Sequence, residues 1–114
     1  MTYQEIKAKL KEIELESQYF GDFAYRGECI IYDEQDDEIE YDLMGILKEH
    51  FGNVVVADTS YFHDGYECWA VYHFQDHNVY LKFSGYFSSY NDTEWSEPRE
   101  VFPEEKTIIL FKEK

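Results

Sequence analysis

Basic residues are scarce in this sequence. Ten Lys and Arg stand against 25 Asp and Glu in 114 residues, a net charge of −15 at pH 7. Binding to nucleic-acid phosphates runs on clustered Lys and Arg, so this balance argues against direct contact with DNA or RNA. It argues equally against an anionic membrane surface. No apolar run approaches the roughly 20 residues of a membrane span. The first residues, MTYQEIKAKL, lack the apolar core of a secretory signal. Cysteine is limited to Cys29 and Cys68, too few for a disulfide scaffold. The expectation is a reduced, cytoplasmic protein whose thiols act as small buried hydrophobes. Catalytic signatures are missing as well: there is no Gly-rich phosphate loop, nucleophile elbow or HExxH. The chain is therefore not read as an enzyme, and no cofactor is implied.

What is present suits one modest core. Hydrophobic residues make up 44% and aromatics 19%, too apolar for a solvated acidic tail. Thr2 with Glu5 forms a capping box, and Met1 with Ile6 occupies the positions of a hydrophobic staple. Ile6, Leu10 and Ile13 then recur on one face, which predicts a helix over about 3–17. Residues 18–32 are aromatic and β-branched but interrupted by Gly21 and Gly27, with a short strand expected over Glu28 to Tyr32. Leu43, Ile46, Leu47 and Phe51 predict a second helix over about 40–51, closed by Gly52.

Beyond it, NVVVADTSYF, ECWAVYHF and NVYLKFSGYF read as antiparallel strands joined at Asp64-Gly65 and Asp76-His77. Two-residue loops there would pair Phe74 with Val79, Tyr72 with Leu81, Ala70 with Phe83, Ala57 with Tyr72 and Val55 with Phe74. These pairs share the face that helices should cover. Trp69, Val71, His73, Tyr80 and Lys82, with Asp58 and Ser60, lie opposite. A polar loop, SSYNDTEWSEPRE, precedes a last strand over Thr107 to Lys112. The expected fold is a single α+β domain: two N-terminal helices packed on one face of an antiparallel sheet of about four strands.

The most biased segment runs from Glu28 to Asp42. It holds Glu28, Asp33, Glu34, Asp36, Asp37, Glu38, Glu40 and Asp42 and no basic residue. In extended form Asp36, Glu38, Glu40 and Asp42 would share a face at about 6.6 Å spacing, comparable to a nucleic-acid backbone. Neighbours about 7 Å apart repel by about 0.6 kcal/mol in water before screening. The positive N-terminus of the second helix accounts for Asp37, Glu40 or Asp42, because the helix dipole acts only within the first turn. It does not account for eight acids in fifteen residues. The functional reading is a carboxylate patch offered to the basic groove of another protein; the plain alternative is a solvated loop.

Metal readings fare worse. Asp33, Gln35 and Asp37 begin like a calcium loop, but Glu38 replaces the sixth-position Gly and Met44 the twelfth-position Glu. His73, Asp76 and His77, with His63 and Asp64, straddle hairpin turns without a tetrahedral rationale for zinc. Asn91-Asp92-Thr93 matches a glycosylation sequon, meaningful only on secretion. A second binding candidate is Tyr86, Ser88, Ser89, Tyr90 and Trp95, whose aromatics and small hydroxyls are the composition of recognition loops. Closure of one end of the core by Tyr86 and Trp95 explains two of these residues equally well.

The stretch YHFQDHNVYLKF from Tyr72, then GYFSSYNDTEW from Gly85, then Val101 to Leu110 with Pro103 and Glu105-Lys106-Thr107, resembles a widespread group of small acidic proteins encoded by phages and prophages. It departs at Asp92, where that group would have Gly in the turn. The resemblance implies no established activity. As a class, small acidic phage proteins often inhibit host nucleic-acid-binding machinery, such as a defence nuclease. The resemblance covers roughly the C-terminal 45 residues and thus supplies context rather than mechanism. It adds weight to the reading made from the acidic run itself: a non-enzymatic inhibitor of a basic host protein, contacting it through Asp33, Glu34, Asp36, Asp37, Glu38, Glu40 and Asp42. The alternative is an immunity or virion-associated module that uses Tyr86, Tyr90 and Trp95 on a partner that need not be basic.

Overall fold

The structure, a computed structural model, describes residues 1–60, 66–87 and 94–104. Its elements in order are α1 (Tyr3–Glu12), α2 (Ser17–Arg26), β1 (Cys29–Tyr32), β2 (Glu38–Tyr41), α3 (Leu43–Phe51), β3 (Val54–Thr59), β4 (Tyr66–Phe74), β5 (Val79–Phe87), β6 (Glu94–Trp95) and β7 (Arg99–Val101). The fold is α+β, with helices over one face of an antiparallel sheet. Among the described residues that sheet has five strands in the order β3-β4-β5-β6, with β7 also on β5, and β1 and β2 form a separate two-stranded sheet.

The capping box forms as read. The Thr2 hydroxyl accepts from the Glu5 amide at 3.2 Å, and the Glu5 carboxylate accepts from the Thr2 amide at 3.1 Å. The first helix, however, stops at Glu12, not near residue 17. The Leu15 amide reaches back to the Leu10 carbonyl and the Glu14 amide to the Lys11 carbonyl, with Glu14 left-handed at φ 59°. This is a Schellman termination in which Glu occupies the position usually held by Gly. Leu15 then turns into the core. The released chain starts α2, a helix that the aromatic and β-branched character of 18–32 concealed. Gly27, at φ 76°, closes it and donates to the Phe23 carbonyl at 2.8 Å.

Ile6, Leu10, Phe20, Leu43, Leu47 and Phe51 from the helices meet Ala70, Tyr72, Phe74, Val79, Leu81 and Phe83 from the sheet, all buried. Phe20 is the hub: its ring stacks on Phe83 at 4.1 Å and meets Tyr72 edge-on at 5.0 Å. The Tyr72 hydroxyl donates to the Phe20 carbonyl at 2.6 Å, which satisfies the one polar group on that buried ring. Burial also pushes this hydroxyl's pKa well above the usual tyrosine value.

Counting gave the β4–β5 register correctly: Phe74 pairs with Val79, Tyr72 with Leu81 and Ala70 with Phe83. The connection is a four-residue turn rather than the two residues expected, with Gln75–His77 in a 3₁₀ turn and Asn78 left-handed at φ 51°. Both loops centre on the same point, so the pairing is unchanged. The β3–β4 register agrees at Thr59/Ala70 but slips by one between Val56 and Asp58, at a bulge that leaves Ala57 unopposed. Val54 therefore pairs with Phe74 and is buried, while Val55 and Ala57, expected inside, are exposed. The polar stretch after Phe87 is not all loop either. β6 and β7 lie one after the other along the same edge of β5, with Trp95 opposite Gly85 and Arg99 opposite Lys82. The Asp64-Gly65 turn and the Thr107 to Lys112 strand lie outside the described residues.

Candidate functional site

The acidic segment folds into a hairpin. Its loop is Glu34–Asp36, a type I turn followed by a left-handed residue, Asp36 at φ 60°. Asp36 N–H donates to the Asp33 carbonyl at 3.1 Å, and Asp33 N–H donates to the Asp37 carbonyl at 3.0 Å. The Asp33 carboxylate accepts from the amides of Gln35 and Asp37, both at 2.9 Å. Asp33 thus uses in the turn the carboxylate expected to face a partner. It is half-buried, whereas the other seven acids are exposed.

The register pairs Cys29 with Tyr41, Ile30 with Glu40, Ile31 with Ile39 and Tyr32 with Glu38. Residues directly opposite share a face. One face therefore carries Tyr32, Glu38, Ile30 and Glu40, and the other carries Ile31, Ile39, Cys29 and Tyr41. At the base, Cys29 is buried and Tyr41 rests against Tyr19 of α2 at 5.1 Å, which anchors the hairpin to the core. Burial there raises both groups' pKa values, Cys29 to about 11. Away from the base, Tyr32 is 64% exposed and Ile39 42%.

The predicted four-acid row does not form. Only Glu38 and Glu40 share the strand. Asp36 lies in the turn, because the chain must reverse there. Asp42 caps α3, its carboxylate accepting from the Gly45 amide at 3.0 Å. The acids form a patch around a hairpin, so a spacing matched to a nucleic-acid backbone is lost and the charge remains. Among the described residues no ion pair involves any of the eight; the salt bridges there join Lys7 and Lys11 to Glu97 and Lys9 to Glu12.

The aromatic candidates separate. Tyr86 is 54% exposed on the outer face of the sheet, opposite Glu94. Trp95 is on the inner face. A Cβ on either Gly21 of α2 or Gly85 of β5 would collide with its ring, so both glycines are there to let the indole lie between helix and sheet. Trp95 closes the core. Ser88, Ser89 and Tyr90 lie outside the described residues.

The histidines are also apart. His73 stacks on Tyr80 at 3.9 Å on the outer face. His77 bridges the Phe51 carbonyl at 2.9 Å and the Met1 amine at 2.8 Å, and Asp76 accepts from the Asn53 amide at 2.9 Å. No group of three or more potential metal ligands occurs among the described residues, and His63 and Asp64 are not among them. Cys29 and Cys68 are free and buried. No described helix is long and apolar enough to cross a membrane.

The structure also holds a cavity of about 630 Å³ between the end of α1, the start of α2 and the β6–β7 segment. Leu10, Leu15, Phe83 and Trp95 line it, and the Lys7–Glu97 and Lys11–Glu97 pairs lie on its wall. Nothing local in the sequence marks it, since its walls meet only because α1 ends early. Comparison with protein-family models, with curated proteins and with solved structures returns no match.

Proposed function

We propose that this protein is a non-enzymatic binding protein of phage or prophage origin. Its acidic hairpin occupies a basic, nucleic-acid-binding groove of a host protein and keeps nucleic acid out. One observation supports this most: seven exposed carboxylates with no described cationic partner surround a hairpin that also leaves Tyr32 and Ile39 in solvent. Repulsion accumulated in such a patch is relieved by a cationic partner, and charge of one sign speeds association with the other. Exposed aromatic and aliphatic groups among the acids add contact area that a merely solubilising loop does not need. Of the aromatic candidates among the described residues, Tyr86 is exposed on the outer face while Trp95 packs into the core, so they do not form one surface as the acids of the hairpin do.

The test uses immobilised protein and a host lysate, with bound proteins eluted by a nucleic-acid competitor. Association rates for an eluted basic protein are then measured at two ionic strengths. The parent is compared with a variant carrying Asp36→Asn, Glu38→Gln, Glu40→Gln and Asp42→Asn. The expected result is slower association by the variant and a weaker dependence on salt. Equal rates with equal salt sensitivity would reduce the patch to a solvated surface.

A further inference from the structure

We infer that the outer edge of β2 takes an extended, Arg- or Lys-bearing segment of the partner as an added strand; this rests on the reading of the acidic hairpin as the binding surface. The argument begins with the backbone. The bond from Asp33 N–H to the Asp37 carbonyl makes 33/37 a hydrogen-bonded pair. Antiparallel alternation then makes 31/39 and 29/41 the next such pairs. The N–H and C=O groups of Glu38 and Glu40 therefore point away from β1. Among the described residues β2 has no second neighbour, and both residues are exposed.

An unpaired edge is a template for another strand unless something blunts it. The β3 edge is blunted by its bulge at Ala57 and by Asp58. The β2 edge has no bulge, proline or lysine. It has Glu38 and Glu40, whose side chains share one face beside the open backbone. An added strand places residues directly opposite them, with Cβ atoms about 4.5–5.5 Å away. In antiparallel pairing a second copy of β2 would set carboxylate against carboxylate, which opposes pairing. A strand with Arg or Lys at alternate positions would set a cation against each. The outward groups of β1 belong to Ile30 and Tyr32, which carry no charge, so selection for a basic strand is confined to β2.

The probes are two peptides with four arginines each: an eight-residue alternating Arg-Thr peptide that extends readily, and an Ala-rich helical one. The extended peptide should bind the full protein more tightly. On binding it, the amides of Glu38 and Glu40 should slow in hydrogen exchange by about tenfold or more, while Ile39, already paired to β1, stays unchanged. Glu40→Pro and Glu40→Gln remove the same charge, but only Pro removes the outward N–H, and an edge strand tolerates it there. Glu40→Pro should bind about tenfold more weakly than Glu40→Gln. The exchange measurement on the unaltered protein stands even if the Pro variant misfolds. Equal, salt-sensitive binding of both peptides without protection at Glu38 and Glu40 would overturn strand addition and leave the charge reading intact. Absence of salt-sensitive binding by either peptide would overturn both.

Discussion

β4 and β2 are both strands of this chain, yet different forces hold them. From Cys68 to Phe74 the residues of β4 alternate strictly between buried and half-exposed, and β5 answers them across the ladder. No residue of β2 is buried; three of its four are exposed. The large sheet is held by apolar burial, worth roughly 25 cal/mol per Å² removed from water. The hairpin is held by turn chemistry at Asp33 and by its base, Cys29 and Tyr41, against α2. Contrasting the two shows where charge can be concentrated: on the part of an element that lies between a self-sufficient turn and an anchored base, where stability does not depend on burying side chains.

The comparison breaks most visibly at Tyr72. Tyr72→Ala removes the ring packed on Phe20 and should cost about 3–5 kcal/mol by analogy with Phe→Ala, while Trp69→Ala on the outer face costs clearly less. Chemical denaturation measures both, and the reverse order would put the wrong face of the sheet against the helices. Next come the glycines that seat Trp95. Gly21→Ala or Gly85→Ala forces the indole aside and should destabilise by about 1–3 kcal/mol. In a Trp95→Ala background that added penalty should vanish, because the collision is with the ring; at Gly85 part remains, since its Cβ also meets the Glu94 carbonyl.

The helix termination sharpens the contrast in the opposite direction. Glu14→Gly relieves a left-handed Glu and should stabilise by about 0.5–1 kcal/mol after the entropy of Gly is subtracted. Asp36→Gly, in the hairpin, should gain less, since Asp tolerates that conformation better. Thermal melts of the two variants, both one charge less negative than the parent, decide it.

Alkaline pH probes the hairpin base. Burial raises the Cys29 thiol from 9.0 to about 11, so the fold favours its neutral form. Its contribution is whole below about pH 9 and is lost as pH rises through about 11. Cys29→Ala should flatten that part of the stability profile. A profile unchanged by the substitution would mean that the thiol is not desolvated. The smallest effect belongs to the acids themselves. The four-fold neutral variant should be slightly more stable than the parent. Neutralisation relieves repulsion, and the asparagine introduced by Asp42→Asn still caps α3.

What the sequence determined by itself is whatever depends on neighbours along the chain. The Thr2–Glu5 cap, the face of α3 and the β4–β5 pairing all follow from local spacing, because one short turn or one helical period sets each. The α1 stop was hidden for a related reason: its signal is normally Gly, and Glu14 takes the same conformation without advertising it. Other features belong to the tertiary structure alone. Gly21 looks like a strand interruption until Trp95, far along the chain, is seen to need its missing side chain. Ala57 looks like a core residue until the bulge turns it outward. The acid row looks continuous until Asp36 must reverse the chain and Asp42 must cap a helix. Alternation in a sequence says which side chains share a face only while the strand stays extended, and whether it does is decided by the packing of distant parts.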